Sequence, residues 1–115
     1  MVYHAYVTAD VHGIITQWSP GAELLFGHSA KDAVGRSVEL IVPEEHRAAH
    51  SAGYSRAMED PALSEVVLDV PALHSDGRTL TSPVRLIVLS DALGTALGAL
   101  AVFSSEGTTG VGLAS

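Results

Sequence analysis

The sequence predicts an α+β domain, with an antiparallel sheet carrying short helices over one face. Three observations lead to this. Glycine-containing turns, DVHG and SDGR, join apolar and β-branched runs. Helix-start signals are grouped in the middle of the chain. The resulting order is β-β-α-α-α-β-β-β, in which a hairpin or the helical stretch joins every strand to a neighbour.

Residues 3–9, YHAYVTA, predict a strand, and DVHG turns it at Gly13 into a second strand, IITQW, at residues 14–18. Ser19-Pro20 then starts a helix. Serine accepts a backbone N–H as N-cap, and proline presets the first helical φ. Ala22, Leu24, Leu25 and Phe26 supply an apolar face, and Gly27 closes the helix with a left-handed cap. SAKDAVG repeats the device, with Ser29 as cap and Gly35 as stop. VELIV, residues 38–42, is apolar and ends at Pro43.

Pro43 opens the longest predicted helix, running from Glu44 to Met58. Glu44 and Glu45 in its first turn and Arg56 near its end suit the helix dipole. Pro61 breaks it within EDPALS. Residues 65–74 predict a strand, SDGR a hairpin turn, and residues 79–90 the returning strand, in which Pro83 implies an edge position or a bulge. DALGTALG reads as another turn and residues 99–103 as the last strand. One domain therefore covers residues 1–103, and residues 104–115 form a small, polar, glycine-rich flexible tail.

Composition narrows the function. The 115 residues are 47% hydrophobic but only 5% aromatic, so aliphatic side chains must fill the core. Net charge is -7, and the six Lys and Arg form no stripe, which argues against nucleic acid and anionic lipid. There are no cysteines, hence no disulfides, thiolate metal sites or cysteine nucleophiles. That is compatible with a cytoplasmic location. The start, MVYHAYVTAD, lacks signal-peptide features, and the apolar run LGTALGALAVF is too short to span a bilayer. No G-x-S-x-G elbow or phosphate-cradling glycine loop is present, so a non-enzyme is expected.

Five segments together resemble the PAS domain. They are D-x-x-G-x-I (Asp10, Gly13, Ile15), W-S-x-x-A-E-x-L-F-G (Trp18 to Gly27), S-A-x-D-A-V-G-R (Ser29 to Arg36), I-V-P-E-E-H-R (Ile41 to Arg47) and H-S-D-G-R (His74 to Arg78). The resemblance runs from Tyr6 to Phe103. It implies a five-stranded antiparallel sheet cupped by helices around a small cavity, acting as a sensory or interaction module. Such domains bind haem, flavin, small metabolites or nothing, and often dimerise. A small-molecule ligand, a homodimer and a signalling output partner outside this chain are the partners this implies. Without a cysteine, adduct-forming flavin photochemistry is excluded.

His46 and His50 lie four residues apart, within about 40° of each other on a helix. Haem iron takes a neutral imidazole as axial ligand. The segment P-E-x-x-R-x-x-H (Pro43, Glu44, Arg47, His50) resembles FixL-like haem-binding PAS sensor domains, which implies His50 as ligand to the iron of a b-type haem. The same alignment implies Arg56 near the propionates. It also puts Leu68 where those sensors carry an oxygen-stabilising arginine, so carbon monoxide or nitric oxide suits the pocket better than oxygen. Tyr54 and Met58 border the His50 face. The alternative reading is a ligand-free interaction module in which His50 is a partly buried residue bonded to a neighbour and His46 is solvated. A divalent metal on the His46/His50 pair has no evident third ligand. His4, His12, His28 and His74 fall in turns or strand ends and are expected to be exposed. Trp18 and Phe26 are expected as core anchors rather than cavity wall.

Overall fold

The computed structural model describes residues 4–60, 65–105 and 107–110. One carboxylate builds its first hairpin. Asp10 Oδ1 accepts from the backbone N–H of His12 (2.9 Å) and Ile14 (3.0 Å), turning β1 (His4–Asp10) into β2 (Ile15–Trp18). The Ile14 bond, with that of His12, holds the Asp10 carboxyl below its usual range against a smaller opposing effect of burial. Asp91 does the same at another hairpin, accepting from Leu93 and Thr95, both at 2.9 Å.

Helix α1 (Pro20–Phe26) starts and stops as its sequence dictates. Ser19 is extended, and its buried Oγ accepts from the N–H of Ala22 (3.1 Å) and also from Tyr6 (2.9 Å), which stitches the helix start to β1. Gly27 ends the helix at φ 78°, and a Cβ there would collide with His74 and Ser75. Glu23 Oε2 accepts from Ala30 N–H (2.6 Å), joining α1 to the short α2 (Ala30–Ala33) capped by Ser29. A 3-10 helix (Val38–Ile41) follows, capped by Ser37.

The long predicted helix is divided. Its first turn is a 3-10 helix (Glu44–His46) closed by a 2.9 Å bond from His46 N–H to Pro43 O, and α3 spans Arg47–Glu59. His46, at φ -107° and ψ -3°, is the joint. The strand start at residue 3 and the break at Pro61 lie outside the described residues.

The sheet is antiparallel, ordered β2-β1-β5-β4-β3, with β3 at Glu65–Leu73, β4 at Thr79–Ser90 and β5 at Ala96–Ser104. β5 starts three residues earlier than its sequence suggests. Gly98 lies where β1 passes so closely that any Cβ would strike Ala9 O, so this glycine serves a strand and not a turn. The segment after β5 also departs from expectation. Thr109 and Gly110 form β6, pairing with Thr81 and Leu80 on the flank of β4 opposite β3, and so extending the track of β5. Pro83 stands at the break between them, against Gly107. It lacks an N–H to donate there. Residues 111–115 lie outside the described residues.

The core sits under α1, between it and the sheet. Phe26 is fully buried, 4.9 Å edge-on from Phe103 and 5.6 Å from Trp18. Ile15, Leu25, Leu80 and Val84 are the larger aliphatic residues packed in the same cluster, with Val7 and Ile41 at its border with the space under α3. Among the described residues no helix is long and apolar enough to cross a membrane.

Replacing Ser19 with Ala would leave two N–H groups, on Tyr6 and Ala22, without their partner. The expected loss is about 1–3 kcal/mol of unfolding free energy, read by chemical denaturation.

Candidate functional site

Helix α3 lies over the inner face of the sheet yet has no buried residue. Ala49, Gly53 and Ala57, spaced by four, share the helix side that faces the sheet. Ala9, Ala99 and Ala101 face them from β1 and β5. Small residues on both walls leave a hollow of about 450 Å³. Val38, Ile41 and Val42 bound it on the helical side, and Val7, Val70, Val84, Leu86 and Phe103 on the sheet. Pockets of this size and apolar character hold small ligands and cofactors.

Three side chains with polar groups line it: His46, His50 and Tyr54. His50 is half-buried, and burial pushes its pKa down against a weaker opposing effect of Glu39. The imidazole is therefore neutral near pH 7, the form that can ligate a metal. Its ring stacks on Tyr54, one turn on, with centroids 6.1 Å apart and planes at 15°. Tyr54 Oη donates to the carbonyl oxygen of Asp10 at 2.5 Å. Burial, with the nearby Asp10 charge, raises the Tyr54 phenol to about 12. This bond pins the middle of α3 to the β1–β2 turn.

The other sequence candidates are less well gathered. His46 is exposed at the cavity's margin. Arg56 is exposed and does not line the cavity, because six residues beyond His50 the helix has turned its side chain about 120° away. Leu68 shares the inner side of the sheet with its cross-strand partner Val84, yet it is 40% exposed. The first half of β3, an edge strand, runs out beyond the helical cover, so Val70 and not Leu68 forms the wall. Met58 is half-buried outside the lining. Trp18 and Phe26 belong to the core.

Among the described residues no three His, Asp or Glu side chains come together to hold a metal ion, so the His46/His50 pair lacks a third ligand. His4 and His12 are exposed, but His28 and His74 are half-buried, because the β3–β4 turn folds back on the end of α1. The alanine and glycine walls were missed in the sequence. Their signal was the four-residue spacing Ala49-Gly53-Ala57 and the alternation Ala99-Ala101.

The family model for the PAS fold matches residues 4–105. Sensor protein FixL of Bradyrhizobium diazoefficiens is 36% identical over 86 residues, which cover 73% of this chain and 17% of that protein. An uncharacterized protein of Azorhizobium caulinodans is 32% identical over 87 residues, 73% of this chain and 12% of that one. The chain thus spans less than a fifth of the length of these curated relatives. Among solved structures, the PAS domain of a Colwellia psychrerythraea protein superposes with a TM-score of 0.76 at 23% identity, over 87% of this chain and 83% of that one. The dark-state LOV domain of the blue-light photoreceptor Aureochrome1 gives 0.68 at 20% identity, over 86% and 72% of the two chains. These two likenesses concern the fold alone. With its sheet order, its helical cover and a family model spanning nearly its whole length, this chain belongs to the PAS family.

Proposed function

We propose that this PAS domain is a sensor module whose ligand occupies the hollow under α3, and that the ligand is a b-type haem held through His50. The observation that carries the reading is a neutral imidazole on an otherwise largely apolar wall. The 36% identity to a protein named as a sensor supports it.

The residues present fit the flat apolar body of the group and its need for one nitrogen ligand. They supply no arginine to the cavity for its carboxylates, since Arg56 lies outside. His46 at the margin is the nearest polar substitute among the lining residues. Haem held here would supply an iron centre able to bind diatomic gases. Val70 on the wall and Leu68 beyond it offer no hydrogen-bond donor, which favours carbon monoxide or nitric oxide over oxygen. Tyr54 orients His50 by stacking and carries any movement of α3 to Asp10. The domain acts by binding and not by turnover, passes its signal to an output partner, and works in the cytoplasm.

The second reading is a ligand-free interaction module. The outer sheet face favours it, since Tyr6 (43% exposed), Val67 (60%) and Leu89 (38%) present apolar surface suited to a second copy of the chain.

Adding haem to the purified domain is expected to shift the Soret band with one-to-one stoichiometry, and His50→Ala to abolish the shift. No shift, or one that His50→Ala leaves unchanged, rejects the haem assignment. A second expectation follows from burial. His50 has a folded pKa below its ordinary 6.5, so the unfolded chain binds the proton more readily and stability falls as pH drops through that value. The thermal midpoint of the native chain should therefore decline relative to His50→Phe between about pH 8 and about pH 5. A gap independent of pH contradicts the buried neutral imidazole.

A further inference from the structure

A second depression lies outside the helical cover, a solvent-open cleft of about 560 Å³ that shares no lining residue with the hollow under α3. Arg36 and Ser37 enter it from the segment after α2, Arg47 from the first residue of α3, His28 from the end of α1, and His74 and Ser75 from the β3–β4 turn. The whole chain has six Lys and Arg and a net charge of -7, yet two arginines and two histidines converge here.

The two arginines carry the positive charge of the cleft, and Glu39, Asp32 and Asp76 offset part of it. Among the described residues neither arginine makes an ion pair. Arg47 Nε donates to the carbonyl oxygen of Val42 at 3.1 Å, and Glu39 is the only carboxylate among the lining residues. The imidazole of His28 has its pKa lowered by burial first and then by the charges of Arg36 and His74, with Asp32 opposing. His74 Nδ1 accepts from the backbone N–H of Asp76 at 3.1 Å and lies 3.1 Å from its Oδ1.

The walls are also held in place. Ser75 N–H donates to Phe26 O at 2.9 Å, and Trp18 Nε1 donates to His28 O at 2.9 Å, so the turn and the α1–α2 connection are both anchored to the core. A cleft whose backbone walls are anchored and whose lining holds two arginines without ion pairs against one carboxylate suits an oxyanion.

We propose that this cleft binds a small phosphate-class oxyanion, gripped by Arg36 and Arg47 and completed by His28, His74 and the Ser75 hydroxyl. Guanidinium groups take tetrahedral oxyanions through paired hydrogen bonds. Free phosphate and a phosphate monoester present the same group. Because Arg47 is the first residue of α3, an anion here bears on the helix that roofs the inner hollow. The two ligands would then be coupled through that helix, by the same factor in each direction.

The test is an NMR titration of the histidine ring signals with inorganic phosphate and, separately, with phenyl phosphate, against chloride at matched ionic strength. The expected result is saturable movement of the His28 and His74 signals with phosphate but not chloride. Tighter binding of phenyl phosphate identifies an ester as the ligand, and equal binding identifies the free ion. Arg36→Gln should weaken binding about tenfold with an unchanged circular dichroism spectrum. Arg36 is exposed, and its hydrogen bonds to Ala33 and Ile15 are made by its backbone. His28→Asn provides a second weakened variant. Arg85→Gln removes the same charge from the outer sheet face, where Arg85 pairs with Glu65, and should leave binding unchanged. Shifts that stay linear and match chloride, or equal weakening in Arg36→Gln and Arg85→Gln, overturn the proposal.

Discussion

Helix α3 is held over the sheet by contacts around the hollow and not by a packed inner face. The facing residues, Ala49, Gly53 and Ala57 above and Ala9, Ala99 and Ala101 below, are too short to fill the space between. What keeps the helix in place is peripheral: the Tyr54–Asp10 bond, the Arg47–Val42 bond, and the apolar shoulder formed by Val38, Ile41 and Val42. Larger side chains along either wall would turn this part of the molecule into ordinary core. The real core, with Phe26, Trp18 and Phe103, is displaced beneath α1. The division between a packed end and a hollow end leaves space over the five-stranded sheet for the ligand proposed above.

That division also sets how a ligand would act. An apolar hollow forfeits dispersion contacts on its lining, and a ligand that fills it recovers them. A helix held by a few margin contacts is cheaper to displace than one buried in a core. Tyr54 is the link in both directions, since its ring stacks on His50 and its hydroxyl grips the β1–β2 turn. Under the sensor reading, a change at His50 reaches the sheet edge through a single side chain. A differential contact of this kind is what any ligand-driven shift requires.

Much of the fold was legible because it depends on local chemistry. Ser19, Pro20 and Gly27 fix α1 through local capping and backbone geometry, and β3 and β4 follow from Val- and Leu-rich runs on either side of the SDGR turn, Pro71 and Pro83 notwithstanding. The misreadings arose where a residue answers to a distant neighbour. Gly98 looked like turn chemistry, but it is a strand position required by the passage of β1. His28 and His74 looked like exposed loop residues until the β3–β4 turn packed on the end of α1. Thr109 and Gly110 looked like tail and instead extend the track of β5 past Pro83. At the site, the direction of His50 and the outward turn of Arg56 could be read from the period of their helix, whereas the exposure of Leu68 depends on how far α3 and the sheet overlap, which no local pattern encodes.

The proposed binding role requires the hollow under α3 to exist in solution with small, largely apolar walls. Diffraction from crystals pressurised with xenon tests this most directly, because xenon enters apolar cavities without needing a specific partner. The account expects xenon density between Ala49, Ala101 and Val84. A crystal in which α3 packs directly against Ala99 and Ala101, with no xenon between them, would contradict it.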